Sequence, residues 1–507
     1  MKRLVPVLLA AALLLAGCFS GGGGSDDGAG RLRVGLSFPP TAGLSPYGNE
    51  ATLATRLGVT ESLTALVGGE AQPVLATAWT QTTPTTWRFT VRPGVTFHDG
   101  SPLSPAAVAD SLNRAAAATP VPRALSSLKK DTQRSGAGPV EEAGTPLAVA
   151  PEGDAVVVTT PLPDPVLPAR LASPELVVLA GGAYADPTRP SPVRAGTGPF
   201  VLTAVQGSSG ASLDRNPSYW RGPVSAPGID ARFLADSAAR ANGVRAGELD
   251  VAEAIPASQA ASIAAPAQVV GVPLPRSVSL YLDQRSPVFA DPGVRAAVRQ
   301  AVRPLDVAGS IYEGRADPAA GLFGPASPWA ATRPPRVQTP AGPVPPGTRI
   351  RLATYSDRAE LPEVATADAD ALRRAGFTVD VTVLDSSALE AQLGTGAYDA
   401  VVLSRSQQLD TGDPVSYLAS DFGCAGGYNW ARYCDPATDA VLAQGGATTD
   451  LAARRQAALD AEARVLSADA VVPQVTERAR IGVAGGVTGV AEDPNEQTLI
   501  TATTARS

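Results

Sequence analysis

The residues from 350 to 403 alternate between two hydrophobic periods. Three segments are apolar or alternate apolar with polar side chains, and two segments between them repeat about every 3.6 residues, which predicts strand 350–352, helix 362–375, strand 377–384, helix 386–393 and strand 398–403. Glycines end both helices. Strands that are joined through helices lie parallel in one sheet. This part of the chain is therefore predicted to be a parallel α/β lobe.

A second ordered stretch lies between residues 79 and 118. In WRFTVR three apolar side chains alternate with polar ones, which predicts a half-buried strand. The following PG indicates a turn, VTF a short return strand at 95–97, and HDG the close of the hairpin. Ser104 and Pro105 offer an N-cap and a first-turn proline for a helix that reaches about Ala118.

The order of these letters resembles the signature of family 5 bacterial extracellular solute-binding proteins, the peptide-, dipeptide- and nickel-binding lipoproteins of ABC importers. The family pattern W-x-F-x-[LV]-R-x-G-V-x-F-H-D-G-x-P is similar to residues 87–102, WRFTVRPGVTFHDGSP. A second pattern, G-T-G-P-[FY] followed by L-x-R-N-x-x-Y-W, resembles residues 196–220. The resemblance covers about residues 31–490, which is nearly all of the chain after its first segment.

The resemblance implies an α/β fold of the two-lobed periplasmic-binding-protein type, with an extra subdomain in lobe 1 and a hinge between the lobes. The expected domain organisation is a lobe 1 core of 31–57, 180–277 and 482–507, an extra subdomain of lobe 1 at 58–179, and lobe 2 at 278–481.

The N-terminus has the composition of an export signal. Two cations precede an apolar run at 4–16, which is too short to span a membrane comfortably. The sequence L-A-G-C resembles a lipobox, so residues 1–17 are predicted to be a signal peptide, Cys18 the lipidated residue, and 18–30 a flexible, lipid-anchored tether. The alternative is an ordinary signal peptide that contains a cysteine. The prediction is an exported protein anchored to the outer face of the cell membrane.

Composition excludes several classes of partner and reaction. A net charge of −7 argues against a nucleic-acid partner. The only histidine, His98, does not suffice for a two-histidine metal site, and neither an EF-hand spacing nor a G-x-S-x-G elbow occurs. His98 beside Asp99 is interpreted as part of a turn rather than as half of a catalytic triad. We therefore expect no enzyme activity, no cofactor and no bound metal.

The remaining two cysteines, Cys424 and Cys434, are ten residues apart. In an oxidising compartment such a local pair predicts a disulfide. The alternative is two reduced, half-buried thiols.

Four residues are candidates for substrate binding. Arg358, just after a predicted strand, resembles the arginine that takes the α-carboxylate in dipeptide binders of the family. Asp410, after the predicted strand at 398–403, resembles the aspartate that takes the α-ammonium. Tyr355 and Asp413 lie in the same two segments. The alternative is that these charges are solvated or form structural pairs.

The leading hypothesis for function is the substrate-binding lipoprotein of an ABC importer. It would capture di- or oligopeptides between its lobes and deliver them, as a monomer, to permease subunits in the membrane. The alternatives are another solute on the same fold, such as a nickel chelate, heme or a sugar, or a tethered sensor or interaction protein without a transport role.

Overall fold

A computed structural model describes residues 30–48, 50–126, 128, 145–358, 360–393, 395–407 and 411–507. The first part of the chain forms β1 (Leu32–Leu36), α1 (Ala51–Arg56), β2 (Thr64–Val67) and β3 (Glu70–Pro73). The extra subdomain continues with β4 (Ala76–Thr83), β5 (Thr86–Val91), α2 (Pro105–Ala117), α3 (Arg123–Ser126), β6 (Ala148–Glu152), β7 (Ala155–Thr159) and α4 (Leu167–Arg170). The chain then returns to the core of lobe 1 with β8 (Phe200–Gln206), β9 (Gly210–Arg215), β10 (Gly228–Phe233), α5 (Ser237–Arg245), β11 (Val251–Ala252) and α6 (Ala257–Ala260).

Lobe 2 is entered through a long strand and left through another. Its elements are β12 (Gln268–Leu282), α7 (Pro292–Ala301), α8 (Pro304–Ser310), β13 (Asp317–Pro318), β14 (Arg349–Tyr355), α9 (Glu360–Arg374), β15 (Thr378–Leu384), α10 (Ser386–Leu393), β16 (Ala400–Ser406), α11 (Pro414–Phe422), α12 (Pro436–Gly446), α13 (Leu451–Ser467) and β17 (Val471–Val483). A small hairpin of β18 (Val487–Thr488) and β19 (Ala505–Arg506) follows in lobe 1. Short 3-10 helices lie at Pro174–Leu176, Gly181–Ala185, Pro287–Phe289 and Pro328–Thr332.

One sheet of eleven strands passes through both lobes in the order β15-β14-β16-β12-β17-β11-β1-β10-β9-β8, with β13 beside β17. β14 pairs in parallel with β15 and β16, so the predicted parallel α/β lobe is confirmed. Helices cover both faces of this part of the sheet, because one apolar cluster packs under α7 and α9 and another under α11 and α13. The two-lobed α/β fold predicted from the sequence is confirmed.

The extra subdomain has its own core. Its four-stranded sheet has the order β4-β5-β7-β6, and the side chains of Trp87 and Phe89 are buried in it against α2. The predicted helix from Ser104 is confirmed, since the Ser104 hydroxyl accepts a hydrogen bond from the Ala107 N–H at 3.2 Å. The domain boundaries given above stay predictions.

Two local predictions are corrected. The short return strand at 95–97 is wrong: this segment makes a single bridge between Thr96 and Pro102, because β5 already pairs with β4 on one edge and β7 on the other. The sequence also predicts a strand at 278–282, which resembles the family's crossing into the second lobe. This strand is confirmed but is much longer, since β12 begins at Gln268.

The predicted disulfide is present in lobe 2. Cys424 and Cys434 are joined, with their Cα atoms 4.5 Å apart. The bond closes the loop between α11 and α12. The signal peptide at 1–17, the lipidated Cys18 and nearly all of the tether lie outside the described residues.

Candidate ligand-binding cleft

The strands β12 and β17 join the two lobes and pair with each other in two separate ladders. The first ladder, in lobe 1, runs from the pair Gln268 and Val483 to the pair Pro273 and Arg478. The ladder is then interrupted and resumes in lobe 2 at Ser277. Two prolines, at 273 and 275, lie at or in the interruption and have no N–H to donate. An interrupted ladder between two lobes is where bending costs least, so we identify this point as the hinge.

Next to the hinge lies a small cavity that both lobes line. Lobe 1 contributes the tip of the β2–β3 hairpin at Gly68 and Gly69 and the loop at 494–495, and lobe 2 contributes, among others, Phe323, Trp329 and Gln407. The rings of Phe323 and Trp329 pack with their centroids 4.8 Å apart. The cavity measures about 40 Å³, which leaves room for only a few water molecules. A larger solute therefore enters only when the lobes separate.

Charged side chains at the hinge connect elements of both lobes. Arg276, on β12, forms an ion pair with Glu496 of lobe 1 at 3.0 Å. Arg358 lies 3.6 Å from Glu477 of β17, which also accepts a hydrogen bond from the Ser404 hydroxyl. Each of these carboxylates thus has an arginine partner in this conformation.

Glu496 has an unfavourable backbone conformation and a lowered side-chain pKa. Its φ of 54° is left-handed, a conformation that is unfavourable for a residue with a side chain. Burial raises the pKa of Glu496, but the attraction of Arg276, Arg56 and Arg358 outweighs it and holds the pKa below its usual range. Glu496 is therefore ionised at neutral pH and ties the loop of lobe 1 to the hinge.

Two of the four predicted binding residues lie at the hinge. Arg358 follows β14, and 37% of its side chain is exposed, which leaves part of the guanidinium accessible to a ligand. Tyr355 is the last residue of β14, and its hydroxyl donates a hydrogen bond to the Ser404 carbonyl at 3.3 Å. Burial raises the pKa of Tyr355, so the hydroxyl stays protonated.

The other two predicted residues are placed differently. Asp413 caps α11 through the Ser416 N–H at 2.7 Å, and its two carboxylate oxygens accept hydrogen bonds from Arg454 at 2.8 and 2.6 Å. Because both side chains of this pair are at most 4% exposed, the carboxylate is engaged within lobe 2. Asp410 lies outside the described residues. Binding roles for both stay predictions.

A contact across the cleft was not foreseen from the sequence. Arg455, on α13 of lobe 2, forms an ion pair with Glu70 at 3.2 Å and donates a hydrogen bond to the Gly68 carbonyl at 3.1 Å, both in the β2–β3 hairpin of lobe 1. Its guanidinium lies 5.9 Å from the ring centroid of Trp329. We call Arg455 and the β2–β3 hairpin the latch, because the contact exists only while the lobes are close.

The motifs that carry the family resemblance meet away from the cleft. The His98 backbone N–H donates to the Gly196 carbonyl at 2.8 Å, and the His98 imidazole Nε2 atom lies 2.9 Å from the Gly198 carbonyl. A Cβ at Gly196 would lie 2.0 Å from the Val59 carbonyl oxygen, so glycine is required for the close approach of the two backbones. Burial lowers the pKa of His98, which makes it a neutral structural residue in this turn.

Glu61 joins the same motifs from the other side. Its carboxylate accepts hydrogen bonds from the Thr197 hydroxyl at 2.8 Å, the Tyr219 hydroxyl at 3.0 Å and the Trp220 indole N–H at 2.8 Å. Burial raises the pKa of Glu61 in spite of these donors. The residues of the family motifs thus hold the extra subdomain against lobe 1.

Sequence reasoning missed Glu477, Glu496 and Arg455. A signal for Glu477 exists, since it is the one acidic residue in the strand VVPQVTERARIGV. Glu496 and Arg455 lie in a polar loop and on the polar side of a helix, where charges are common and carry no signal. Only the folded chain brings them to the cleft.

Metal coordination and membrane crossing find no support in the described part of the chain. Across these ranges, no three or more His, Cys, Asp or Glu side chains are grouped so as to hold a metal ion. No described helix combines the length and the apolar composition that a membrane span requires.

Comparisons with known proteins give the family. The model for "Bacterial extracellular solute-binding proteins, family 5 Middle" matches residues 70–429. A probable di/tripeptide-binding protein 5 of Pseudomonas aeruginosa is 27% identical over 284 residues, but this alignment spans only 50% of this chain and 51% of that protein. The nickel-binding protein NikA of Staphylococcus aureus is 23% identical over 479 residues, which are 90% of each chain.

The fold is shared with solved structures. The crystal structure of NikA from Brucella suis in complex with Fe(III)-EDTA superimposes with a TM-score of 0.77 at 18% identity, covering 94% of this chain and 100% of that one. At this identity the likeness shows the fold alone. The family model spans the extra subdomain from β3 onward, the hinge strand β12 and most of lobe 2. The chain belongs to the family 5 bacterial extracellular solute-binding proteins, and it is a binding protein rather than an enzyme.

Proposed function

We propose that this protein is the extracytoplasmic substrate-binding lipoprotein of an ABC importer, which captures a peptide between its lobes and delivers it to membrane permease subunits. The observation that carries the proposal is the hinge: two strands with an interrupted ladder join two lobes that both line one cavity. Such a protein closes on a solute when groups of both lobes contact it, because only differential affinity for the closed state drives closure.

The composition of the cleft suits a peptide. The ring pair of Phe323 and Trp329 offers an apolar wall, Gln407 an amide, and Arg358 a partly exposed cation for a carboxylate. One relative is named for di- and tripeptides, which agrees with this chemistry. Residues 18–30 would hold the protein at the membrane through a lipid on Cys18.

A second candidate is a metal complex, because the relative that aligns over 90% of both chains is named for nickel. Mass spectrometry of small molecules released from the protein purified from its own cells tests both candidates. A co-purified peptide supports the proposal, whereas a nickel chelate or another solute replaces it.

Replacing Arg358 by alanine is expected to weaken peptide binding about 10- to 100-fold, as expected for loss of a hydrogen-bonded charge. Isothermal titration with a peptide found in the release experiment measures the dissociation constant. The matched control is Arg349→Ala at the other end of β14, where an exposed arginine pairs with Asp380. Amidation of the peptide's C-terminus should remove the difference between Arg358→Ala and the wild type. If amidation costs the same affinity in both proteins, Arg358 does not hold the carboxylate.

Replacing Arg455 by alanine is expected to speed ligand dissociation about two- to tenfold and to leave association nearly unchanged. The latch contact forms only in the closed state, so its loss destabilises the complex and not the encounter. Stopped-flow dissociation at low and high salt measures the effect, which should shrink as salt screens the Arg455–Glu70 pair. Gln456→Ala, which removes only a bond within α13, is the control. An unchanged dissociation rate in Arg455→Ala would show that the latch does not hold the lobes together.

A further inference from the structure

A second, larger cavity of about 320 Å³ lies between the extra subdomain and the outer strands of lobe 1. It is lined by Val201 and Thr203 of β8, Asp214 of β9, the turn around His98, Arg194 and residues 215–218. β8 and β9 are at the end of the sheet opposite to β14 and β15. No residue of lobe 2 lines this cavity, so it is separate from the cleft.

Two arginines line the cavity without a carboxylate partner. The ion pairs among the described residues include neither Arg194 nor Arg215, and the Arg215 side chain donates only a long hydrogen bond, 3.4 Å, to the Val224 carbonyl. The acidic group in the lining, Asp214, is already engaged by Arg31 at 3.0 Å. Asp99, next to the turn, directs its carboxylate to the N–H and hydroxyl of Ser101. The two guanidinium groups are therefore available to an anion.

The backbone holds one of these arginines in place. Arg194 has a φ of 52°, which costs a residue with a side chain on the order of 1 kcal/mol. Its N–H donates to the Leu202 carbonyl of β8 at 3.0 Å, which keeps this conformation in the folded protein. Because its backbone is fixed, the Arg194 side chain reaches a smaller region than an arginine on a free loop would.

His98 belongs to the turn that lines this cavity. The Gly198 carbonyl can only accept, so the neutral imidazole carries its hydrogen on Nε2. The buried Nδ1 atom is then an acceptor, and it has no donor in the described structure. Because this atom is buried, a ligand in the cavity would be held by the two guanidinium groups and not by His98.

We infer that this cavity is a second binding site, for a phosphate group held between Arg194 and Arg215. Planar guanidinium groups bind phosphate oxygens in pairs. The volume also accommodates a small organic group attached to the phosphate. A free phosphate ester and a phospholipid headgroup share this chemistry. The inference is independent of what the cleft binds.

Isothermal titration of the purified protein with inorganic phosphate and with glycerol 3-phosphate tests the site, and sedimentation with phosphatidylglycerol or phosphatidylcholine vesicles tests the headgroup. We expect saturable binding that Arg194→Ala and Arg215→Ala each weaken at least tenfold. Arg189→Ala, an exposed arginine outside the cavity, is the control and should bind as the wild type does. Val201→Glu, which adds a negative charge to the lining of the cavity, should abolish binding.

Each outcome decides the inference. Binding of the soluble phosphates that the two variants lose identifies a free ligand, and binding of phosphatidylglycerol vesicles alone that they lose identifies a headgroup. The inference is overturned if neither probe binds saturably, or if Arg189→Ala weakens binding as much as the cavity variants. Circular dichroism and melting in phosphate-free buffer confirm that the exposed Arg194 and Arg215 variants are folded.

Discussion

Replacing Arg454 by methionine is expected to lower the free energy of unfolding by about 3–5 kcal/mol, because removal of one partner leaves a buried charge uncompensated. Arg454 donates two hydrogen bonds to Asp413 and further bonds to the carbonyls of Gly445, Gly446 and Thr448. One guanidinium thus joins the start of α11, the end of α12 and the start of α13. Urea unfolding followed by tryptophan fluorescence measures the loss.

Two further variants show whether the loss comes from the uncompensated buried charge. Arg464→Met removes an exposed arginine of the same helix, paired with Asp435 at 3.7 Å, and should cost less than about 1 kcal/mol. Adding Asp413→Asn to Arg454→Met removes the buried charge and should restore part of the lost stability. If Arg454→Met costs no more than Arg464→Met, the pair does not stabilise lobe 2, and the binding role predicted for Asp413 gains weight. Peptide titration of Asp413→Asn then measures that role directly.

The second large effect concerns pH and Asp368. This residue lies on α9 with 2% of its surface exposed, and it accepts a hydrogen bond from the Gln474 amide at 2.7 Å. Burial raises its pKa from 3.8 to about 7. Between these values the folded chain holds a proton that the unfolded chain has released, so stability falls as pH rises. The contribution is present below about pH 4 and is lost as the pH passes 7, with a span of about 4 kcal/mol at most.

Asp368→Asn is expected to remove most of this pH dependence. The asparagine amide mimics the neutral acid and can still accept a hydrogen bond from the Gln474 side-chain amide. It can also donate to the Gln474 Oε1 atom, which is buried without a partner. The variant should match the wild type below about pH 4 and exceed it by about 2–4 kcal/mol near pH 8. Urea unfolding at several pH values measures this, with the exposed Asp370→Asn on the same helix as control. Parallel pH profiles for Asp368→Asn and the wild type would contradict the raised pKa.

Local patterns in the sequence were sufficient for several elements. The helix at Ser386–Leu393 has the predicted bounds, and the cap at Ser104 is formed as expected. These features depend on hydrophobic period and capping, which involve neighbours within a few residues. The disulfide is of the same kind, since its cysteines are close in the chain.

The strand β12 could not be predicted in full from local sequence patterns. The sequence predicts only the last third of β12, at 278–282, and Pro273 and Pro275 argue against a strand before it. The folded chain places these prolines at or in the interruption of the ladder with β17, where an N–H is not needed. Whether a proline breaks a strand therefore depended on a partner that is about 200 residues away.

By itself the sequence determined the family and the two-lobed α/β fold, because motifs and hydrophobic periods are local properties of the chain. Tertiary structure decided which charges face a ligand and which are satisfied within the protein. Asp413 pairs with Arg454, 41 residues away, and Glu496 with Arg276, 220 residues away. Such pairs form through packing and desolvation of distant segments, so no local pattern of letters distinguishes a free carboxylate from an engaged one.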